Sequence, residues 1–237
     1  MLLALVEYSV ENKDGGFDDF LKGKGLITLL AGPPGVGKTL TAESIAEELK
    51  RPLYKISAGD LGIESRDVEQ ALKDVLDRCS HWNAVLLIDE ADIFLETRSS
   101  NNLARNELVT IFLTLLEYYQ GVLFLTTNTV RRIDPAFESR IDIIMTLDNH
   151  GQDARRQIWS KTLPSDSVDL SLSDFDNLSK WIVNGRQIKS AIKTARIIAL
   201  KQKMPLKLSH LETVLEVRKR ASRLIDTQDE PWEVMKE

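Results

Sequence analysis

The stretch Gly32-Pro33-Pro34-Gly35-Val36-Gly37-Lys38-Thr39 decides how the rest of the chain is read. It has the spacing G-x-x-x-x-G-K-[ST]. In front of it, Leu26 to Ala31 is short and mostly apolar, the pattern of a buried strand. Behind it, Leu40, Ala42, Ile45, Ala46 and Leu49 recur near helical spacing until Pro52 ends the run. A strand, a glycine-rich turn and a helix start together make a place for an anion. The glycines let backbone N–H groups face a phosphate, and the helix end adds positive partial charge. Gly32, Pro33, Pro34, Gly35, Val36 and Gly37 are expected to wrap the phosphates, with Leu40 following in the first helical turn. Lys38 is expected to reach the β- and γ-phosphates and the Thr39 hydroxyl to bind Mg²⁺.

Working outward, the same alternation repeats. Leu53 to Ile56 is a second short strand, and Val68, Leu72, Val75 and Leu76 mark a helix. Ala84-Val85-Leu86-Leu87-Ile88 is apolar at every position, as a strand covered on both faces is. Leu103 to Tyr119 predicts a further helix, Val122 to Leu125 a fourth strand and Ile141 to Leu147 a fifth. Strand and helix in alternation mean a parallel sheet with helices on both faces. From about His150 four helical segments follow, near 154–163, 172–184, 186–203 and 209–224, and no further strand is evident. The expected fold is therefore α/β over residues 1–149, with a parallel five-stranded sheet, and a small all-helical lid over 150–237 with a polar tail in which Trp232 is the apolar residue able to pack.

The apolar run Val85 to Ile88 ends in Asp89-Glu90. A carboxylate at the C-terminal end of a central parallel strand sits beside the phosphate loop. Asp89 is expected to hold Mg²⁺, and Glu90 to polarise a water for attack on the γ-phosphate.

With Ala91-Asp92 after them, these two motifs resemble those of the AAA+ ATPases, and the Gly-Pro-Pro-Gly-x-Gly-Lys-Thr form is that of the AAA branch. The resemblance runs in order along about residues 17–224. Asp92-Ile93-Phe94-Leu95-Glu96, Leu115 to Tyr119 and Phe124 to Asn128 resemble the AAA cores of large fungal proteins, which implies the ATPase module of something bigger. It also implies ATP as the nucleotide, a P-loop NTPase fold with ATP at the junction with the lid, and a homo-oligomeric, hexameric ring acting on a protein substrate. Asn128 fits the polar sensor at the end of the fourth strand, able to bond the attacking water or the γ-phosphate. Ile133 to Asp142 resembles the second region of homology, where Arg140 fits the arginine finger that completes a neighbour's site. The other reading of Arg140 is an ion pair with Glu138 or Asp142, and Arg131 and Arg132 are further finger candidates. The segment is shorter than the common form and lacks its Pro-Gly. Asn184-Gly185-Arg186 opens a helix, where Arg186 fits a second sensor touching the γ-phosphate.

The largest departure lies between Ile56 and Val68. Substrate-threading relatives carry an aromatic residue in this loop. Here Ser57-Ala58-Gly59-Asp60-Leu61-Gly62-Ile63-Glu64-Ser65 has none, and Leu61, Gly62 and Ile63 are left as a weaker grip. Two further functions stay open beside ATP-driven remodelling: a slowly hydrolysing nucleotide-dependent switch or scaffold, and a phosphotransferase built on the same loop.

Composition narrows the field. The net charge of −5 argues against a chain built mainly for nucleic acid or an anionic membrane, despite basic runs at Arg218-Lys219-Arg220 with Arg223 and at Lys189 to Lys203. The single cysteine, Cys79, allows no intrachain disulfide, which fits an intracellular, reducing compartment. The three histidines are far apart and have no zinc spacing. No apolar run approaches the roughly 18 residues of a membrane helix. Met1 to Val6 is expected to be the buried face of a first helix rather than a signal peptide. Trp82, Trp159 and Trp181 are expected to pack in the core or lid.

Overall fold

The computed structural model describes residues 1–11, 25–62, 64–98, 102–129, 133–163 and 168–226, the side chains of Glu11 and of 222–226 excepted. Ile63, Arg131, Arg132, the Arg223 side chain and Trp232 thus lie outside the described residues. The chain divides into two compact units, Met1–Asp148 and Asn149–Glu237.

In the first unit, β1 (Leu26–Ala31), β2 (Leu53–Ser57), β3 (Val85–Asp89), β4 (Val122–Thr127) and β5 (Ile143–Thr146) form one sheet in the order β2-β3-β4-β1-β5. Every pairing is parallel. The helices are α1 (Leu2–Glu11), α2 (Lys38–Glu48), α3 (Ser65–His81), the single turn α4 (Asp92–Leu95) and α5 (Leu103–Tyr118). One sheet face packs on Val68, Leu72, Val109 and Phe112 of α3 and α5. The other packs on Leu2 and Val6 of α1 and on Ala42, Ile45 and Ala46 of α2. Covered on both faces, Val85 to Ile88 need no polar alternation, and all four are fully buried. Burying each such side chain stabilises the unit by about 1.5–3 kcal/mol. Phe94 and Phe112 stack at 4.9 Å beside them.

This strand order positions the chemistry. The loop after β1 emerges beside the end of β4, because Ala31 pairs with Thr127. β3 lies on the other side of β4, so Asp89 ends next to Thr126. The C-terminal ends of three neighbouring strands therefore converge on one edge, where ligands bind in open parallel sheets.

The second unit contains α6 (Gln152–Thr162), α7 (Leu172–Ser179), α8 (Gly185–Lys201) and α9 (Leu208–Asp226) around fully buried Trp159, Leu178, Ile188 and Leu211. It departs from the all-helical expectation. β6 (Val168–Asp169) and β7 (Leu206–Lys207) pair in parallel, two residues each, too short for an alternation to register in sequence. The helix expected over 172–184 stops at Ser179. α8 then starts separately, capped by Asn184: its side chain accepts from the Gln187 N–H, and Gln187 reaches back to the Asn184 N–H. Trp82 also departs from expectation. It follows α3 and is 54% exposed, tilted against Tyr54 at 6.1 Å. Among the described residues no helix is long and apolar enough to cross a membrane.

Candidate active site

The loop between β1 and α2 turns on backbone conformations that L side chains rarely adopt. Gly32 has φ +152° and Gly37, at the start of α2, has φ +106°. A Cβ at Gly32 would stand 2.1 Å from the Leu147 carbonyl oxygen, so both conformation and space require glycine there. At Gly37 there is open space, and only the φ requires it.

Lys38 is buried at the start of α2. Its Nζ donates to the carbonyls of Gly32 at 2.6 Å and Pro33 at 2.9 Å, and to Asn128 Oδ1 at 2.9 Å. The ammonium thus lies inside the curl of the loop, joined to the residue that ends β4. The Thr39 hydroxyl donates to Asp89 across 3.1 Å. Val36 is buried beneath the loop, whereas Pro34 and Leu40 are exposed.

Asp89 is the most heavily engaged carboxylate of the site. Besides Thr39, it accepts from the Thr126 hydroxyl at 2.6 Å and faces the Lys55 ammonium at 3.3 Å. Burial alone would raise its pKa. The Thr126 hydrogen bond, the Lys55 charge and the Thr39 hydrogen bond outweigh that and hold the carboxyl below its ordinary 3.8. Asp89 therefore stays ionised at neutral pH and offers oxygen to a cation.

Glu90 is exposed and held in the left-handed region at φ +55°. For a non-glycine residue this costs on the order of 1 kcal/mol or more. Two bonds from one residue hold the turn: the Thr126 hydroxyl accepts from the Glu90 N–H at 2.9 Å, and the Thr126 carbonyl accepts from the Ala91 N–H. Thr126 thus ties both acidic residues to β4. Asp92 does the same one step along. It accepts from the Thr127 hydroxyl at 2.6 Å and from the Asn128 N–H at 3.2 Å, fixing the backbone of Asn128. Lys55, Thr126 and Asp92 had no role assigned from sequence. Lys55 is a lone charge in a strand, and Thr126 lies 37 residues from its partner. Only a strand order would have joined them.

Arg140 stands elsewhere in this unit. Its Nε donates to the Leu113 carbonyl, one terminal nitrogen to the Ala136 carbonyl and Ser139, and the other to Glu117 at 3.0 Å. Two residues on, Asp142 accepts from the Ile27 N–H at the beginning of β1. The phosphate loop follows the far end of that strand, roughly 16 Å away at the ordinary rise per residue. Arg140 is thus not part of its own subunit's phosphate site, and its carboxylate partner is Glu117 rather than Glu138 or Asp142. The segment before it is anchored by buried Asp134, which accepts from Arg98 and from the Ala136 N–H. Arg186 belongs to the second unit, where it is exposed in the first turn of α8.

In the loop expected to grip a polypeptide, Leu61 is buried while Gly59, Asp60 and Gly62 are exposed. Ala58–Leu61 forms one 3-10 turn, capped reciprocally by Ser57 and Asp60, and Leu61 is 4% exposed within the main core. Leu61 is therefore unavailable for a grip. Cys79 is buried too, and burial pushes its thiol pKa up to about 11, so it is inert at neutral pH.

The donor set fits a magnesium nucleotide. Thr39 and Asp89 present hydroxyl and carboxylate oxygens, the ligands a hard cation takes. Among the described residues no group of three or more His, Cys, Asp or Glu could enclose a metal unaided. An ion shared with phosphates and water is the arrangement that suits Mg²⁺.

Comparison with known proteins agrees with this geometry. Residues 28–149 match the family described as ATPase family associated with various cellular activities (AAA). A 26S proteasome regulatory subunit homolog of Methanothermobacter marburgensis is 33% identical over 80% of the chain. An ATPase family AAA domain-containing protein of Arabidopsis thaliana is 30% identical over 87% of it, and human ATPase family AAA domain-containing protein 3B is 31% identical over 58%. The chain spans 54%, 31% and 22% of these relatives' own lengths. The loop after β1, the acidic end of β3 and the polar end of β4 all fall inside the matched region, and the chain belongs to the AAA family of ATPases.

Proposed function

We propose that the first unit hydrolyses ATP with Mg²⁺, and that the nucleotide state drives remodelling of a macromolecular partner. The observation that carries this reading is the contact of the Thr39 hydroxyl with ionised Asp89 at 3.1 Å, with Glu90 held beside it by Thr126. Thr39 and Asp89 would hold Mg²⁺, which would neutralise charge on the phosphates. Lys38 adds a fixed positive charge inside the loop, exchanging its carbonyl partners for phosphate oxygens. Glu90 orients and deprotonates the attacking water, and the Asn128 amide directs that water or the γ-phosphate. Arg140 serves a neighbouring subunit, stabilising charge on its γ-phosphate, so activity requires a ring, a hexamer by analogy with the family. We further propose, on the resemblance of its motifs to those of large fungal AAA proteins, that the chain is the ATPase module of a longer protein.

Burial of Leu61 favours a second reading, in which the module is a nucleotide-dependent switch that turns over slowly and threads no polypeptide. The two readings share the site and differ in turnover. The test of the shared site is binding of a fluorescent ATP analogue to the parent and to Lys38→Ala. Loss of binding in a folded variant is expected, and equal affinity would remove the site assignment. Rapid steady-state turnover by an assembled ring would exclude the switch.

A further inference from the structure

A groove of about 450 Å³ opens on the second unit, formed by the segment before α8 and by α9. Trp181, Ile182 and Leu215 supply its apolar lining, and Lys180, Arg218 and Lys219 its charge. Ile182 is 87% exposed there. Lys219 stands 5.6 Å over the Trp181 ring, and Arg218 donates to the Gln187 carbonyl and Ser190. Among the described residues none of these three cations has a carboxylate partner. An apolar channel rimmed by unneutralised cations suits an acidic segment carrying an aromatic anchor.

This chain carries such a segment just beyond α9. In Thr227–Glu237, Asp229, Glu230 and Glu233 surround Trp232, with Val234 and Met235 following. The distance is within reach. α9 continues about 12 Å from Arg218 to Asp226 at the helical rise. The stretch from Thr227 to Trp232 spans up to about 20 Å when extended. We propose that residues 229–235 dock back into this groove, Trp232 against Trp181 and Ile182, and the carboxylates against Lys180, Arg218 and Lys219. Gln187 lines the same groove and caps α8 through Asn184, so the docked segment would brace the helix start that presents Arg186.

The test is zero-length carbodiimide coupling on the full chain at low concentration, in an equal mixture of isotopically light and heavy protein, read by mass spectrometry. Expected are amide links from Lys180 or Lys219 to Asp229, Glu230 or Glu233 within one chain. Their yield should fall about tenfold in Trp232→Ala, the loss a single aromatic anchor gives. Trp232→Ala alters nothing in the described residues, so misfolding would not mimic the result. Absence of these links, or a yield indifferent to Trp232, would overturn the proposal. Links found only between light and heavy chains would also overturn it, by making a second copy the occupant.

Discussion

At the scale of single residues, Thr126 and Thr28 show what a buried hydroxyl can and cannot contribute. Both lie in central strands and are almost wholly buried. Thr126 donates to Asp89 and accepts from Glu90, so it converts a strand end into a support for two acidic residues. The Thr28 hydroxyl has no partner among the described residues. An orphaned buried hydroxyl is destabilising by about 1–3 kcal/mol, and valine keeps its shape without the polar atom. Thr28→Val should therefore raise the thermal midpoint by a few degrees, at about 2–4 °C per kcal/mol for a chain of this size. An unchanged or lower midpoint in scanning calorimetry would show that Thr28 is satisfied in solution.

Asp134 belongs to the scale of elements, because it fastens the end of α4 to the segment that carries Arg140. It is buried, its N–H donates to the Leu95 carbonyl, and its carboxylate receives Arg98 and the Ala136 N–H. Burial raises its pKa, but the Arg98 hydrogen bond, the backbone donors and the Arg98 charge together bring it below the ordinary 3.8. A carboxyl depressed on folding contributes stability that is complete above the unfolded pKa, about 3.9, and is lost as pH falls through the folded value. Denaturant midpoints of the parent should be flat from neutral pH to about 5 and fall below about 4. Asp134→Ala should lose about 1–3 kcal/mol at neutral pH, through donors left unpaired, and show a shallower acid slope. Equal slopes would place the acid sensitivity in other groups, Asp89 first among them.

The same scale shows what the sequence made legible. β1, the phosphate loop and α2 are contiguous, so their order and glycine requirement could be read directly. The apolar run into Asp89 was legible for the same reason. What failed depended on partners distant in sequence. Leu61 in a glycine-rich loop has the same local signature exposed or buried, and packing against α3 decides between them. The carboxylate partner of Arg140 is 23 residues away on α5, while Glu138 and Asp142 stand nearer in sequence.

At the scale of the whole molecule, the position of Arg140 bears on assembly. It is fixed beside the beginning of β1, away from its own phosphate loop, and so it can complete a site only in another copy. The rate per subunit should then rise with protein concentration and collapse in Arg140→Ala. Mixing Arg140→Ala with Glu90→Gln should restore activity, since each variant supplies what the other lacks. Thermal midpoints would separate this from loss of the Glu117 and Leu113 contacts. A concentration-independent rate that survives Arg140→Ala would make the residue a fastener of α5 and nothing more.

The proposed hydrolysis rests on Glu90, an exposed residue held at positive φ next to Asp89 in the chain. The most direct measurement is phosphate release from ATP and Mg²⁺ by the parent and by Glu90→Gln, with ATP binding followed in the same samples. Glutamine keeps the shape and hydrogen-bonding reach but cannot take the proton. Unchanged ATP affinity with phosphate release lowered by about 10²-fold or more is the expected result. Phosphate release at the parental rate by Glu90→Gln would contradict hydrolysis at this site by this residue.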